Sequence, residues 1–79
     1  MLDKKTVLNQ LAQNIRIERA RKHISQEQLA EMTGITPQHL YRIENAKVCP
    51  TFYVVANLAK ALNVSIDTLF DVNKQKSLA

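Results

Sequence analysis

Residues 25–44, SQEQLAEMTGITPQHLYRIE, decide the fold of this 79-residue chain. Ser25 with Gln28 three residues on is a capping-box signature: the serine hydroxyl serves one backbone N–H of a helix start, and the glutamine side chain serves another. It opens a short helix, Gln26 to about Thr33, with Leu29 and Ala30 facing inward. Gly34 ends that helix, because glycine takes a positive φ without steric cost. Thr36 then caps a new helix and Pro37 takes its first position, where a backbone N–H would have no intrahelical partner. This helix is expected to run from Pro37 to near Asn45. Two short helices joined by a tight turn containing glycine make a helix-turn-helix.

The offsets inside the stretch are more specific than its outline. Counted from Gln26, Ala30 is fifth, Gly34 ninth, Leu40 fifteenth and Ile43 eighteenth. The small fifth residue lets the two helices approach closely, and the two apolar residues pin the second helix to a core. A plain helical hairpin needs none of these at fixed offsets. At about 100° per residue, Leu40, Ile43 and Glu44 share the inward face, leaving Gln38, Tyr41, Arg42 and Asn45 outside. Such side chains match base edges in the major groove: Arg pairs with guanine, Gln with adenine, and Tyr reaches a phosphate or a thymine methyl. Any surface helix carries a solvated polar face; its place on this motif is what points to DNA.

Glu44 is an acid on the apolar face beside Ile43. Arg19 falls where the preceding helix, patterned by Leu8, Leu11, Ala12 and Ile15, would put its next apolar residue. Either charge alone is costly to bury, and together they neutralise one another. An Arg19–Glu44 salt bridge is expected to clamp the second motif helix to the first helix of the chain.

Outward from the motif, the first helix is expected from about Thr6 to Lys22, with His23 at the junction. After the loop AKVCP, Thr51 caps a fourth helix with an apolar face of Phe52, Val55, Leu58, Ala59 and Leu62. Ser65 caps a last short helix carrying Ile66, Leu69 and Phe70, and the tail from about 73 to 79 is expected to fray. The prediction is one all-α domain over residues 1–79, a compact five-helix DNA-binding domain with its motif at about 26–45. Hydrophobic residues make up 46% of the chain, which argues against disorder, and one glycine with two prolines leaves little material for hairpins. The net charge of +4 and pI near 9.5 lean mildly towards polyanions.

A single cysteine, Cys49, gives no internal disulfide and suits a reducing compartment. No apolar run approaches the roughly 20 residues of a membrane span, and the start MLDKKTVLNQ lacks a signal-peptide core. A cytoplasmic protein with no membrane partner is expected. His23, His39 and Cys49 make neither a metal site nor a nucleophile–base pair, and no glycine loop cradles a phosphate. No enzyme, metal or cofactor is expected.

ISQEQLAEMTGIT followed by LYRIENAK resembles the phage-repressor and Cro type of helix-turn-helix, shared by bacterial regulators of the xenobiotic-response-element family. TFYVVANLAKALNVSIDTLF is similar to that family's closing segment, so the resemblance runs over about residues 11–70. It implies a bacterial or phage transcriptional regulator, most simply a repressor, dimeric on a near-palindromic operator in double-stranded DNA. It implies phosphate contacts from Gln26, Asn45 and Lys47, and base contacts from Thr36, Pro37 and Gln38, with Arg42 one turn further. Tyr41 joins them from the face argument. The family's Arg–Glu pair falls on Arg19 and Glu44, in agreement with that argument. His23 and Ala46 stand where the family usually has glycine, and Pro37 stands where many members carry a base-reading side chain, which puts specificity on Gln38 and Arg42.

A homodimer is expected to form through Ile66, Leu69, Phe70 and Val72, with Val64 beside them, more apolar surface than one short helix readily hides; the alternative is that these residues simply complete the small core. The alternative role is an antitoxin or adaptor that uses the same fold chiefly to bind another protein.

Overall fold

The computed structural model describes residues 1–71, so Val72 and the tail at 73–79, both invoked above, lie outside the described residues. The described residues form five helices and no strand: α1 Lys4–Arg21, α2 Gln26–Thr33, α3 Pro37–Glu44, α4 Phe52–Leu62 and α5 Ile66–Leu69. Each starts behind a side-chain cap that accepts a backbone N–H two or three positions into the helix. Asp3 caps α1, Ser25 α2, Thr36 α3, Thr51 α4 and Ser65 α5. The Asp3 carboxylate accepts the Thr6 N–H at 2.7 Å and sets the start of α1 at Lys4, two residues before the start expected from the apolar spacing. The capping box at Ser25 is complete, with Gln28 N–H donating to Ser25 Oγ at 3.0 Å and Ser25 N–H to Gln28 Oε1 at 2.7 Å.

The first four helices end the same way, on a residue with positive φ: His23 at 56°, Gly34 at 73°, Ala46 at 56° and Asn63 at 57°. In each, the next residue's N–H turns back to a carbonyl of the last helical turn. Ile24 bonds to Arg19, Ile35 to Ala30, Lys47 to Arg42 and Val64 to Ala59, at 3.4, 3.1, 2.9 and 3.0 Å. Ile24, Ile35 and Val64 then fold against the core, completing the hydrophobic contact that accompanies this cap. Only Gly34 takes the left-handed region freely; Ala46 and His23 hold it at a steric cost that the cap and its hydrogen bonds offset.

The core is built from Leu11 and Ile15 of α1, Leu29 and Ala30 of α2, Leu40 and Ile43 of α3, the Val55–Leu62 face of α4, and Leu69 of α5. Helix α2 packs on α3 and α4, while α1 packs on α3, α4 and α5, so α3 is gripped from both sides. Two apolar assignments need correction. Phe52 is 72% exposed: as the first residue of α4 its side chain leans towards the helix N-terminus, past the end of the core. Leu69 is fully buried, because the single turn of α5 aims it between α1 and α4; it belongs to the monomer's core and is not available to a dimer interface.

Buried Asn14 ties the end of α5 to α1. Its Nδ2 donates to the carbonyls of Leu69 at 2.8 Å and Asp71 at 3.0 Å, and its Oδ1 accepts from Gln10 at 3.3 Å. A carboxamide can satisfy all three bonds at once, which makes the burial of a polar side chain tolerable here.

Candidate nucleic-acid interface

Helix α3 is eight residues long and has two sharply different faces. Leu40, Ile43 and Glu44 are buried, whereas Gln38, Tyr41, Arg42 and Asn45 are exposed. Its start is sparing of donors. Pro37 has no N–H, the His39 N–H goes to Thr36 Oγ1 at 3.0 Å, and the Leu40 N–H goes to the Thr36 carbonyl at 3.1 Å. The Gln38 N–H is left as the free amide of that turn. Thr36 and Pro37 are exposed beside it, the threonine oxygen already accepting the capping bond.

Glu44 fixes the inner side of α3. Its Oε2 accepts from Arg19 Nε at 2.9 Å and its Oε1 from Arg19 Nη2 at 3.0 Å, the fork-to-fork geometry that makes an arginine–carboxylate pair directional. Arg19 Nη1 donates further to the Ile24 carbonyl at 3.2 Å. One guanidinium thereby holds the end of α1, the His23 turn and the far end of α3. Glu44 Oε1 also accepts from Gln26 Nε2 at 3.1 Å, which joins the first residue of α2 to the same cluster. Helical spacing pairs Arg19 with Glu44 but cannot add Gln26, because nothing in a helical wheel reports which neighbouring helix a side chain meets.

The residues named from the sequence fall in two groups. Gln38, Tyr41 and Arg42 share the outer face of α3, and none of the three has a side-chain hydrogen bond or ion pair among the described residues. Gln26, Asn45 and Lys47 sit around that helix. Gln26 is half-buried against Glu44 at the start of α2, and Asn45 closes α3 with its Nδ2 donating to the Tyr41 carbonyl at 2.8 Å. Lys47 is exposed in the loop just after, its backbone pinned to the Arg42 carbonyl. At the start of α2 the capping box uses the Gln28 N–H and leaves those of Gln26 and Glu27 without an intrahelical acceptor. Such a helix end carries partial positive charge and suits an anion. Among the described residues no helix is long and apolar enough to cross a membrane.

A helix-turn-helix family model matches residues 15–69, from the middle of α1 to the end of α5. An uncharacterized HTH-type transcriptional regulator of Mycobacterium tuberculosis is 38% identical over 56 residues, which cover 71% of this chain and 40% of that protein. The chain thus spans about two-fifths of the mycobacterial relative's length. Control protein C.SmaI of Serratia marcescens is 39% identical over 59 residues, covering 75% of this chain and 70% of its own. Among solved structures, a hypothetical transcription factor, NHTF, from Neisseria shares the fold with a TM-score of 0.85 at 24% identity, over 99% of this chain and 90% of that one. The P22 c2 repressor protein, solved in complex with synthetic operator 9T, matches with a TM-score of 0.73 at 27% identity, over 78% of this chain and 94% of that one.

Proposed function

The chain belongs to the helix-turn-helix family of transcriptional regulators, of the Cro and C1 repressor type and not enzymes, and from that premise we propose that it binds double-stranded DNA sequence-specifically as a homodimeric repressor. Helix α3 lies in the major groove with Gln38 and Arg42 reading base edges, Tyr41 and Thr36 flanking them, and Pro37 offering apolar contact to a thymine methyl. The start of α2, with Gln26, and the end of α3, with Asn45 and Lys47, hold phosphates and set the register.

The observation that carries this reading is the outer face of α3. Its Gln, Tyr and Arg side chains are exposed and uncommitted, while a bidentate pair, half-buried Arg19 on buried Glu44, holds the helix beneath them. That division between rigid support and free donors is what direct readout requires. The P22 c2 repressor, which shares the fold, was solved on an operator, and this supports the same use of the surface here.

A dimer would place two α3 helices about 34 Å apart, one turn of duplex, and so read a near-palindrome. With Leu69 in the core, the surface for dimerisation at this end is Phe70, 38% exposed, together with half-buried Ile66. Occupancy of the operator then blocks polymerase.

Selection from a randomised DNA pool, followed by gel shifts on the selected and a random duplex at several salt concentrations, tests the proposal. A selected near-palindrome bound at least 10³-fold more tightly than random duplex, roughly the lower bound for specific binders, is the expected result. Absence of binding to any duplex at low salt would contradict it and favour the adaptor role. Sedimentation showing only monomer, both free and on the selected duplex, would remove the dimer alone.

A further inference from the structure

The Glu44 carboxylate does more than pair with Arg19. It is 1% exposed and accepts three hydrogen bonds, two from the guanidinium and one from Gln26 Nε2 at 3.1 Å. An ionised carboxylate only accepts, so it dictates which end of the Gln26 carboxamide turns towards it: the nitrogen must face Glu44, and the oxygen cannot. The same nitrogen carries a second hydrogen that this bond does not use. Gln26 is the first residue of α2, where its own backbone N–H and that of Glu27 are without intrahelical partners. A side-chain N–H and two backbone N–H groups therefore gather at one helix end, and the side chain's orientation is set from α3.

We propose that Glu44 is a positioning residue for phosphate recognition, holding the Gln26 amide nitrogen ready at the start of α2 so that the backbone contact and the pose of α3 are established together. The proposal rests on the reading of Gln26 as a phosphate contact. Without the carboxylate, the Gln26 side chain samples both amide orientations and several rotamers, and binding must order it. Freezing one such side chain corresponds to about a 2- to 10-fold loss of affinity. Because the phosphate is common to every sequence, the loss falls equally on selected and random duplexes.

The test uses the full chain and the duplex selected as above, with each phosphate in turn replaced by an uncharged methylphosphonate. In the wild-type protein one phosphate per half-site should owe part of its sensitivity to the Gln26 side chain, and Gln26→Leu should reduce sensitivity at that position alone, the two backbone N–H groups keeping the remainder. Glu44→Gln, studied below its melting temperature, should reduce sensitivity at the same position, leave the others unchanged and weaken binding by about 2- to 10-fold. Gln26→Leu/Glu44→Gln should bind no more weakly than Gln26→Leu. If Glu44→Gln keeps full sensitivity at that phosphate, or loses it evenly at all of them, the positioning role is overturned while the Gln26 contact stands. If Gln26→Leu changes nothing, the phosphate contact falls and the positioning role with it. A measurement on the unmutated protein avoids any loss of folding. In the free chain one of the two Gln26 side-chain amide protons should resist exchange with water, and exchange of both at solvent rates would overturn the proposal.

Discussion

Arg19 and Glu44, 25 residues apart in the chain, meet through two parallel hydrogen bonds of 2.9 and 3.0 Å. Arg19 sends a third bond at 3.2 Å to the Ile24 carbonyl, just past the left-handed residue His23. Three elements thus converge on one side chain: the end of α1, the turn into α2 and the last turn of α3. Leu40 and Ile43 seat α3 on the apolar core, and this cluster ties its last turn to α1 and to the start of α2.

Breaking the pair from one side should be expensive. Arg19→Met leaves Glu44 buried without its cation, and Glu44→Leu leaves the guanidinium without its acceptor. Each should lose roughly 3 kcal/mol or more in urea unfolding, whereas Arg19→Met/Glu44→Leu together should recover most of the loss, because an apolar pair has no charge to desolvate. Single variants within about 0.5 kcal/mol of wild type would show that the pair is not a clamp.

The left-handed helix ends give opposite expectations at two sites. A Cβ added at Gly34 meets nothing within 4 Å, so Gly34→Ala should lose only what the backbone conformation demands, about 1 kcal/mol. Ala46→Gly, at φ 56°, should gain up to about 1 kcal/mol, part of it offset by the freer unfolded chain. Thermal unfolding of the two variants side by side checks the signs.

Much of this was legible because it is local. Caps at Ser25, Thr36, Thr51 and Ser65, the stop at Gly34 and the inward faces of α2 and α3 all follow from side chains within a few residues of the feature they cause. The Arg–Glu pair was legible for a different reason: a charge interrupting an apolar stripe needs an opposite charge, and one other stripe offered it. What stayed hidden depends on which helix lies opposite. The wheel that puts Phe52 on an apolar face cannot report that the core contact of α4 begins only at Val54, two residues further on. Nor could composition tell that Leu69 points inward while Phe70 stays at the surface, or that Gln26 reaches Glu44. Asn14 lies between apolar residues of α1 and reads as a solvent position until the end of α5 is seen above it.

Asn14 supplies a further prediction. Asn14→Ala strips the donor from the buried Leu69 carbonyl and should cost about 1–3 kcal/mol. Asn14→Asp should be worse at neutral pH, since a carboxylate would face two carbonyl oxygens with no hydrogen to offer. Melting curves of the two variants give the ranking, and an Asp variant as stable as wild type would contradict the assigned bonds.

Asp3 makes the start of α1 sensitive to acid. Hydrogen bonds from the Thr6 backbone N–H and side chain hold its carboxyl below the ordinary value of 3.8. Because the folded value is the lower one, the cap's contribution is fully present above pH 3.8 and disappears as the pH falls through that lower value. The Thr6 amide resonance should titrate with a midpoint below 3.8, and Asp3→Asn, which retains a cap without a charge, should flatten the curve.

Arg42→Ala and Lys47→Ala on the selected duplex decide whether α3 reads bases while its flanks hold the backbone. The measurement is the Kd for that duplex and for each of its single-base variants, at several salt concentrations. Arg42→Ala should shrink discrimination at one base pair per half-site by about 1–3 kcal/mol and leave the other positions unchanged. Lys47→Ala should weaken binding to every sequence alike and lower the salt slope by about 1 for each phosphate it releases. Two variants that lose affinity in the same way, with discrimination unchanged at every position, would contradict the assignment of α3 as the reading helix.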